Sequence, residues 1–334
     1  RVRWSRASSQ RGERLSYPVF PRVPTTLVQP RFPALPLRDA PALPIDSVLP
    51  ALRRALRDAG TAVLVAAPGA GKTTRVPLAL LEAEWRGDGR ILVLEPRRLA
   101  ARAAAGQMAR LLGEPVGKTV GYRVRLESRV SAATRIEVIT EGIFTRMIQD
   151  DAALDGVAAV LFDEFHERHL VSDLGLALAI ESRQVLRPDL RLLVMSATLE
   201  AAPVARLLGA GEAAPTIVSE GREFPVTTEW RAIRDGLPLP RAVANAVRSA
   251  RERLDGDILV FLPGIAELQR CKTALEESPL DARIELLHGS LDLDAQDRVL
   301  RPQDASPRVI LSTAIAESSV TLDRVRVVID AGLA

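Results

Sequence analysis

The stretch "VAAVLFDEFHERHL", residues 157 to 170, gathers an adjacent acid pair, Asp163 and Glu164, with two of the three histidines in the chain, His166 and His169. Two chemistries fit it. Asp163, His166 and His169 recur at every third residue, so on a helix they drift slowly around one side and can present a carboxylate and two imidazoles to one ion. In the other reading the two carboxylates, placed where an apolar run emerges, carry the chemistry and the histidines are accessories. Spacing alone leaves both open.

A second stretch bears on the choice. "TAVLVAA" runs into "PGAGKTT", placing Gly69, Ala70, Gly71, Lys72, Thr73 and Thr74 at a strand-to-helix turn. Glycines let a backbone wrap phosphate oxygens, the helix that follows directs its unpaired amides at the anion, a lysine offsets charge on the outer phosphates, and a threonine hydroxyl can ligate magnesium. The usual pattern G-x-x-x-x-G-K-[ST] has a glycine where this chain has Ala66. Lysine is scarce here: of 45 basic residues only Lys72, Lys118 and Lys272 are lysines, so one at this place is informative. A phosphate loop needs a second, carboxylate-bearing strand to hold magnesium and orient water. "VAAVLFDE" supplies it, with Asp163 for the metal and Glu164 to polarise an attacking water; the plain alternative is a solvated acidic turn. Zinc fits less well. A zinc-binding helix normally reads H-E-x-x-H with histidines four apart, whereas these are three apart, and the single cysteine, Cys271, excludes a cysteine cluster and an internal disulfide.

The elements that must position these groups follow from the apolar runs. "TAVLVAA", "RILVLEP", "RIEVIT", "VAAVLFDE" and "RLLVMSAT" read as strands buried on both faces, alternating with helical stretches such as residues 98–112 and 170–186. Before them, Val48, Leu49, Leu52, Ala55, Leu56 and Ala59 repeat at helical spacing and Gly60 ends the helix. The pattern loosens over residues 201–224. A second set of strands is expected in "PVTTEW", "DILVFLPG", "RIELLHGS", "RVILSTA" and "RVRVVIDAG". The reading is α/β with two consecutive parallel-sheet units of about five strands each, over residues 43–212 and 213–334, the second incomplete. Residues 1–42, basic and proline-rich, read as a disordered tail that is either incidental or able to touch nucleic acid.

At 334 residues the chain exceeds one ordinary core. No apolar run reaches the roughly 18 to 20 residues of a membrane span and no signal segment opens the chain, so a cytoplasmic monomer without membrane contact is expected. The pI of about 9.5 is compatible with nucleic-acid binding without demonstrating it.

With these residues in view, "DEFHERH" resembles the DExH box of the DEAH-type helicases of superfamily 2, with Phe165 where alanine usually stands, a variation associated with the bacterial HrpB-type branch. "LEPRRLAARAAA" looks like motif Ia, "TEGIFTRMI" like motif Ib, "MSATLE" like motif III, "ILVFLPG" like motif IV and "LSTAIAESSVTLDRVRVVIDAGLA" like motif V. The resemblance covers most of residues 43–334. It implies two RecA-like lobes of a P-loop NTPase driving movement along single-stranded RNA or DNA, with ATP and Mg²⁺ as cofactors, no zinc, and other NTPs competing. Residues Gly69 to Thr74 would cradle the phosphates, Thr73 and Asp163 would serve the metal, and Glu164 the water. His166, Ser196 and Thr198 would couple nucleotide state to the strand-binding face, and His169 would begin the helix behind. Arg97, Arg98, Thr140, Glu141, Gly142 and Thr313 would lie along the nucleic-acid backbone. On their own residues these last assignments stay open: Arg97 and Arg98 equally suit a solvated helix start, and Ser196 and Thr198 a helix cap.

The chain departs from the family in two ways. Ala314 stands where an asparagine is expected, and no Q-R-x-G-R-A-G-R motif, whose arginines reach the transition-state phosphates, occurs in these residues. The expectation is therefore a polypeptide that binds nucleotide but hydrolyses it poorly, since such arginines contribute roughly 10³ to 10⁵ in rate. Two other classes remain: a nucleotide-binding regulatory or scaffold protein, and a P-loop ATPase acting on a substrate other than nucleic acid. Translocation from 3′ to 5′ is what the family implies.

Overall fold

The computed structural model describes residues 41–198, 201–209, 211–221, 225–233, 236–300, 304–316, 322 and 324–333. The expected tail therefore lies outside the described residues as far as residue 40, as do Leu199 and Glu200 of "MSATLE", residues 317–321 and 323 of the motif V stretch, and Ala334.

Short apolar runs become strands where both faces find a helix. Among the described residues one eight-stranded sheet has the order β4-β3-β5-β2-β6-β7-β1-β8, built from β1 (Thr61–Ala66), β2 (Arg90–Glu95), β3 (Val120–Val124), β4 (Glu127–Arg129), β5 (Ile136–Thr140), β6 (Val157–Phe162), β7 (Arg191–Ser196) and β8 (Thr216–Ser219). All neighbours are parallel except β3 and β4. Alternate residues of each strand feed two cores. Leu64, Val93 and Leu161 pack with α1 (Leu49–Asp58), α2 (Lys72–Leu80) and α3 (Arg98–Leu111), through Leu56, Val76 and Met108. Val65, Leu94 and Phe162 pack with α4 (Glu141–Asp150), α5 (Leu170–Val185) and α6 (Ala202–Leu208), through Phe144, Leu176 and Leu208.

The second sheet is parallel in the order β10-β11-β9-β12, from β9 (Asp257–Phe261), β10 (Arg283–Leu287), β11 (Arg308–Ser312) and β12 (Val325–Asp330). Its helices are α7 (Leu239–Arg253), α8 (Ile265–Glu276) and α9 (Leu293–Leu300).

Two expectations are corrected. "PVTTEW" forms no strand: Val226 and Trp230 are 86% and 94% exposed, and its alternating pattern meets neither a ladder partner nor a covering layer. Conversely, residues 216–219, expected in the loosened boundary, are β8, parallel to β1. The first sheet thus extends past residue 212, because β1 needs a partner on its open side. The hairpin β3–β4 was also absent from the sequence reading.

Candidate phosphate and nucleic-acid site

A parallel sheet brings the carboxyl ends of all its strands to one edge, and neighbouring strands put their end residues side by side. Four adjacent strands do this here. In the order β2, β6, β7, β1 they deliver Glu95, Asp163, Ser196 and the loop Ala67–Gly71 to the same edge.

The loop is shaped by two glycines with positive φ, Gly69 at 75° and Gly71 at 99°. A Cβ on Gly71 would stand 2.7 Å from Cδ1 of Leu43, so this position needs glycine on both counts. A Cβ on Gly69 would meet nothing, so the space in front of the helix that begins at Lys72 is open. The amides of Lys72 and Thr73 precede the ladder of that helix and are available at its N-terminal end. Ala66 departs from the usual pattern at no cost: it is the last residue of β1, extended and buried, where a methyl group fits. Ala70 carries the loop back onto the segment before α1, its carbonyl accepting from the Ile45 N–H at 3.2 Å.

Across the edge the two sequence motifs lock together. The Thr73 hydroxyl donates to Asp163 Oδ2 at 2.5 Å, and Lys72 Nζ lies 2.9 Å from Glu164 Oε1 with both side chains nearly buried. Asp163 Oδ1 accepts the Glu164 N–H at 2.8 Å, holding Glu164 in a left-handed conformation with φ 48° that non-glycine residues seldom adopt. Burial opposes the charge on Lys72, but the carboxylates of Asp163 and Glu164 outweigh it and keep its pKa above the usual lysine value. Glu164 is pushed up, first by burial and then by Asp163, with Lys72 pulling the other way. Thr74 sits in the first turn of α2, its N–H bonded to the Gly71 carbonyl at 3.3 Å.

His166 lies in a tight turn of residues Phe165–Glu167. Its Nδ1 accepts the Ala197 N–H at 3.2 Å and lies 3.5 Å from Glu164 Oε2, so the imidazole spans the acidic strand end and the turn after β7. In that turn Ser196 Oγ accepts the Thr198 N–H at 3.2 Å and lies 3.4 Å from its hydroxyl. The cap of α6 is Ala201, so Ser196 and Thr198 do not cap it. His169 is the residue preceding α5, as expected.

Of the expected nucleic-acid residues, Arg97, Arg98, Thr140, Glu141 and Gly142 lie farther along the same edge, and Thr313 follows a strand of the second sheet. Arg97 precedes α3, its Nη1 donating to the Ala314 carbonyl of the second sheet's loop at 2.8 Å, while Arg98 is exposed. Thr140 precedes α4 and Gly142 is exposed in its first turn. Thr313 is half-buried just past β11, next to Ala314. Glu141 departs from its expectation: its carboxylate is buried and faces His169 at 3.4 Å, so it braces α4 against the segment before α5 instead of facing solvent. Sequence reasoning missed Glu95, buried beside the acid pair, and Arg102 of α3, which reaches Glu127 and Asp297. The only signal for Glu95 was an acid at the end of an apolar run, the same signal that marked Asp163.

Comparison with known proteins covers both sheets. Residues 48–207 match the DEAD/DEAH box helicase family and residues 240–334 the helicase conserved C-terminal domain. The chain is 45% identical over 298 residues to the ATP-dependent RNA helicase HrpB of Escherichia coli K12, covering 86% of this chain and 36% of that protein. It is 32% identical to the ATP-dependent RNA helicase HrpA homolog of Haemophilus influenzae, covering 88% of this chain and 22% of the relative. A crystal structure of the E. coli DEAH/RHA helicase HrpB superposes with a TM-score of 0.78 at 44% identity over 86% of this chain and 36% of the other. The chain thus spans about a third, or less, of these relatives. With a RecA-like first lobe, a shorter parallel second lobe and relatives alike over most of its length, the chain belongs to the DEAD/DEAH box helicase family.

Proposed function

We propose that this chain is the ATP-binding core of an RNA helicase, coupling nucleotide hydrolysis between two lobes to movement along a single strand. The observation that carries the reading is the pair of contacts Thr73–Asp163 and Lys72–Glu164, which join the phosphate loop to the acidic strand end across some 90 residues of chain. The donor set suits a magnesium nucleotide: a glycine-shaped loop facing open space, a helix N-terminus, one buried ammonium and a hydroxyl–carboxylate pair of hard oxygen ligands. Bound here, it would supply the phosphorus centre to be attacked and a cation to neutralise its oxygens.

The protein's own residues do the rest. Thr73 and Asp163 would hold the cation. Lys72 would turn from Glu164 to the outer phosphate oxygens, freeing Glu164 Oε1 to accept a proton from the attacking water. His166, in reach of both Glu164 and the Ala197 amide, would pass any shift of Glu164 to the Ser196–Thr198 turn. Arg97, Arg98, Thr140, Gly142 and Thr313 would face the backbone of the strand, where guanidinium forks and hydroxyls suit phosphate oxygens.

The test is ATP turnover by residues 1–334 with and without single-stranded RNA or DNA, with Lys72→Ala and Glu164→Gln as controls. Binding with slow turnover, raised by nucleic acid, supports the reading. Turnover indifferent to nucleic acid favours an ATPase with another substrate, and binding without any turnover favours a regulatory role. Vigorous RNA-stimulated turnover would overturn the proposal that these residues hydrolyse poorly.

A further inference from the structure

Glu95, the last residue of β2, belongs to the phosphate site but has no part in the chemistry above. It is 1% exposed, neither carboxylate oxygen accepts a hydrogen bond from a protein donor, and its one polar neighbour at bonding range is another acid, Asp163. Strand pairing sets its place: β2 lies beside β6, and the Asp163 N–H bonds the Leu94 carbonyl at 3.1 Å, so Glu95 emerges next to the acid pair. Burial, reinforced by the charges of Asp163 and Glu164, pushes its pKa well above the usual carboxylate range. Folding gains nothing from an unpartnered buried carboxylate, which is costly whenever it is charged. Once ionised its oxygens can only accept, so the partner it lacks in that state is a donor.

The site needs such a donor. No three His, Cys, Asp or Glu side chains among the described residues converge to chelate an ion directly. A magnesium ion held here by Thr73, Asp163 and phosphate oxygens would keep several of its waters, and those waters are donors. We propose that Glu95 is an outer-sphere acceptor for the water shell of that cation, a positioning residue that makes nucleotide binding depend on magnesium. The inference rests on the nucleotide reading above. With the cation absent, Glu95 has no donor and its ionised form repels the phosphates; with it present, that charge is hydrogen-bonded and neutralised.

The test titrates a fluorescent ADP analogue into residues 1–334, in magnesium and in EDTA, and records thermal melting without nucleotide. Wild type should bind in magnesium and weaken by about tenfold or more in EDTA, the scale of one unscreened charge in a partly dry site. Glu95→Gln should bind better in EDTA than wild type and need more magnesium to saturate, so that its magnesium-to-EDTA affinity ratio collapses. It should also melt no lower than wild type, since a buried charge has gone. Glu95→Leu provides a second neutral variant with the same expected collapse should the first not fold, and Glu95→Asp, which keeps the charge, should keep the ratio. A wild-type ratio in the neutral variants overturns this inference and leaves the nucleotide reading standing. Failure of wild type to bind ADP in magnesium overturns that reading, and this inference with it.

Discussion

Glu164 holds two positions in one geometry: it clamps Lys72 through Oε1, and its other oxygen lies near His166. Removing the charge and removing the lysine should therefore separate. Glu164→Gln should bind nucleotide near wild-type affinity while turnover falls by about 10² to 10⁴, the usual worth of a general base. Lys72→Ala should lose binding itself, read by fluorescent-nucleotide titration beside the turnover assay. These residues were legible in the sequence because each sits in a motif whose chemistry demands its type. Glu141 was misread for a physical reason: a motif gives a residue's place along the chain but not which way its side chain turns. Burial raises the pKa of Glu141 in the fold, against the pull of His169. A carboxyl raised in the folded state binds more protons folded than unfolded, so its contribution to stability is lost as pH rises from the ordinary value of about 4.3 through the folded value. Glu141→Gln should remove that decline. Melting temperatures of the two proteins should converge at the acid end of a pH series and diverge, with the variant relatively higher, toward neutrality.

At the scale of elements, the strands that were legible are those buried on both faces, such as β1 and β6, because a continuous apolar run needs no partner to announce itself. Those missed lie at the two margins of the first sheet: β8 is short and half-exposed, and β3 alternates Val120, Tyr122 and Val124 with Gly121 and Arg123 over only five residues, so neither offers a continuous apolar run. The loop after β1 illustrates how much one position can fix. Gly71→Ala places a methyl against Leu43 and Ile45 in a left-handed backbone, and should destabilise the first lobe by about 1–3 kcal/mol while abolishing nucleotide binding. Denaturant unfolding with and without ADP checks both. In the second sheet Arg308, 1% exposed, bonds Asp257 through Nε and Nη2, at 2.9 and 2.8 Å, and Glu285 through Nη1. No motif marks that pair, since its partners lie 51 residues apart. Arg308→Ala strips Asp257 of its guanidinium bonds, leaving the residue-308 N–H at 3.1 Å and Arg324 at 3.5 Å, and should cost about 3 kcal/mol, seen as selective early melting of residues 239–330 by hydrogen exchange.

For the whole molecule the question is what joins the lobes. Arg97 reaches the Ala314 carbonyl, and Arg102, its side chain 5% exposed, lies 3.5 Å from Glu127 of β4 and 3.3 Å from Asp297 of α9. The junction is incompletely satisfied: Arg102 Nη1, Glu127 Oε2 and Asp297 Oδ1 are buried without hydrogen-bond partners. A half-satisfied polar contact between two separate cores is a weak seam, and it is where opening should occur as nucleotide comes and goes. Arg102 already has Glu127 within its own lobe, so opening trades only the Asp297 contact and leaves the guanidinium paired. Arg102→Met and Asp297→Asn should each shift the protein toward the open form, weakening a non-hydrolysable ATP analogue about three- to tenfold and lengthening a label-to-label distance between α3 and α9. The double variant should be little worse than either single one, because both remove the same link, and couplings of this kind run at about 0.5–3 kcal/mol. Strictly additive losses would instead show that Arg102 stabilises the first lobe alone and that closure is governed by Arg97 and the loop it grips.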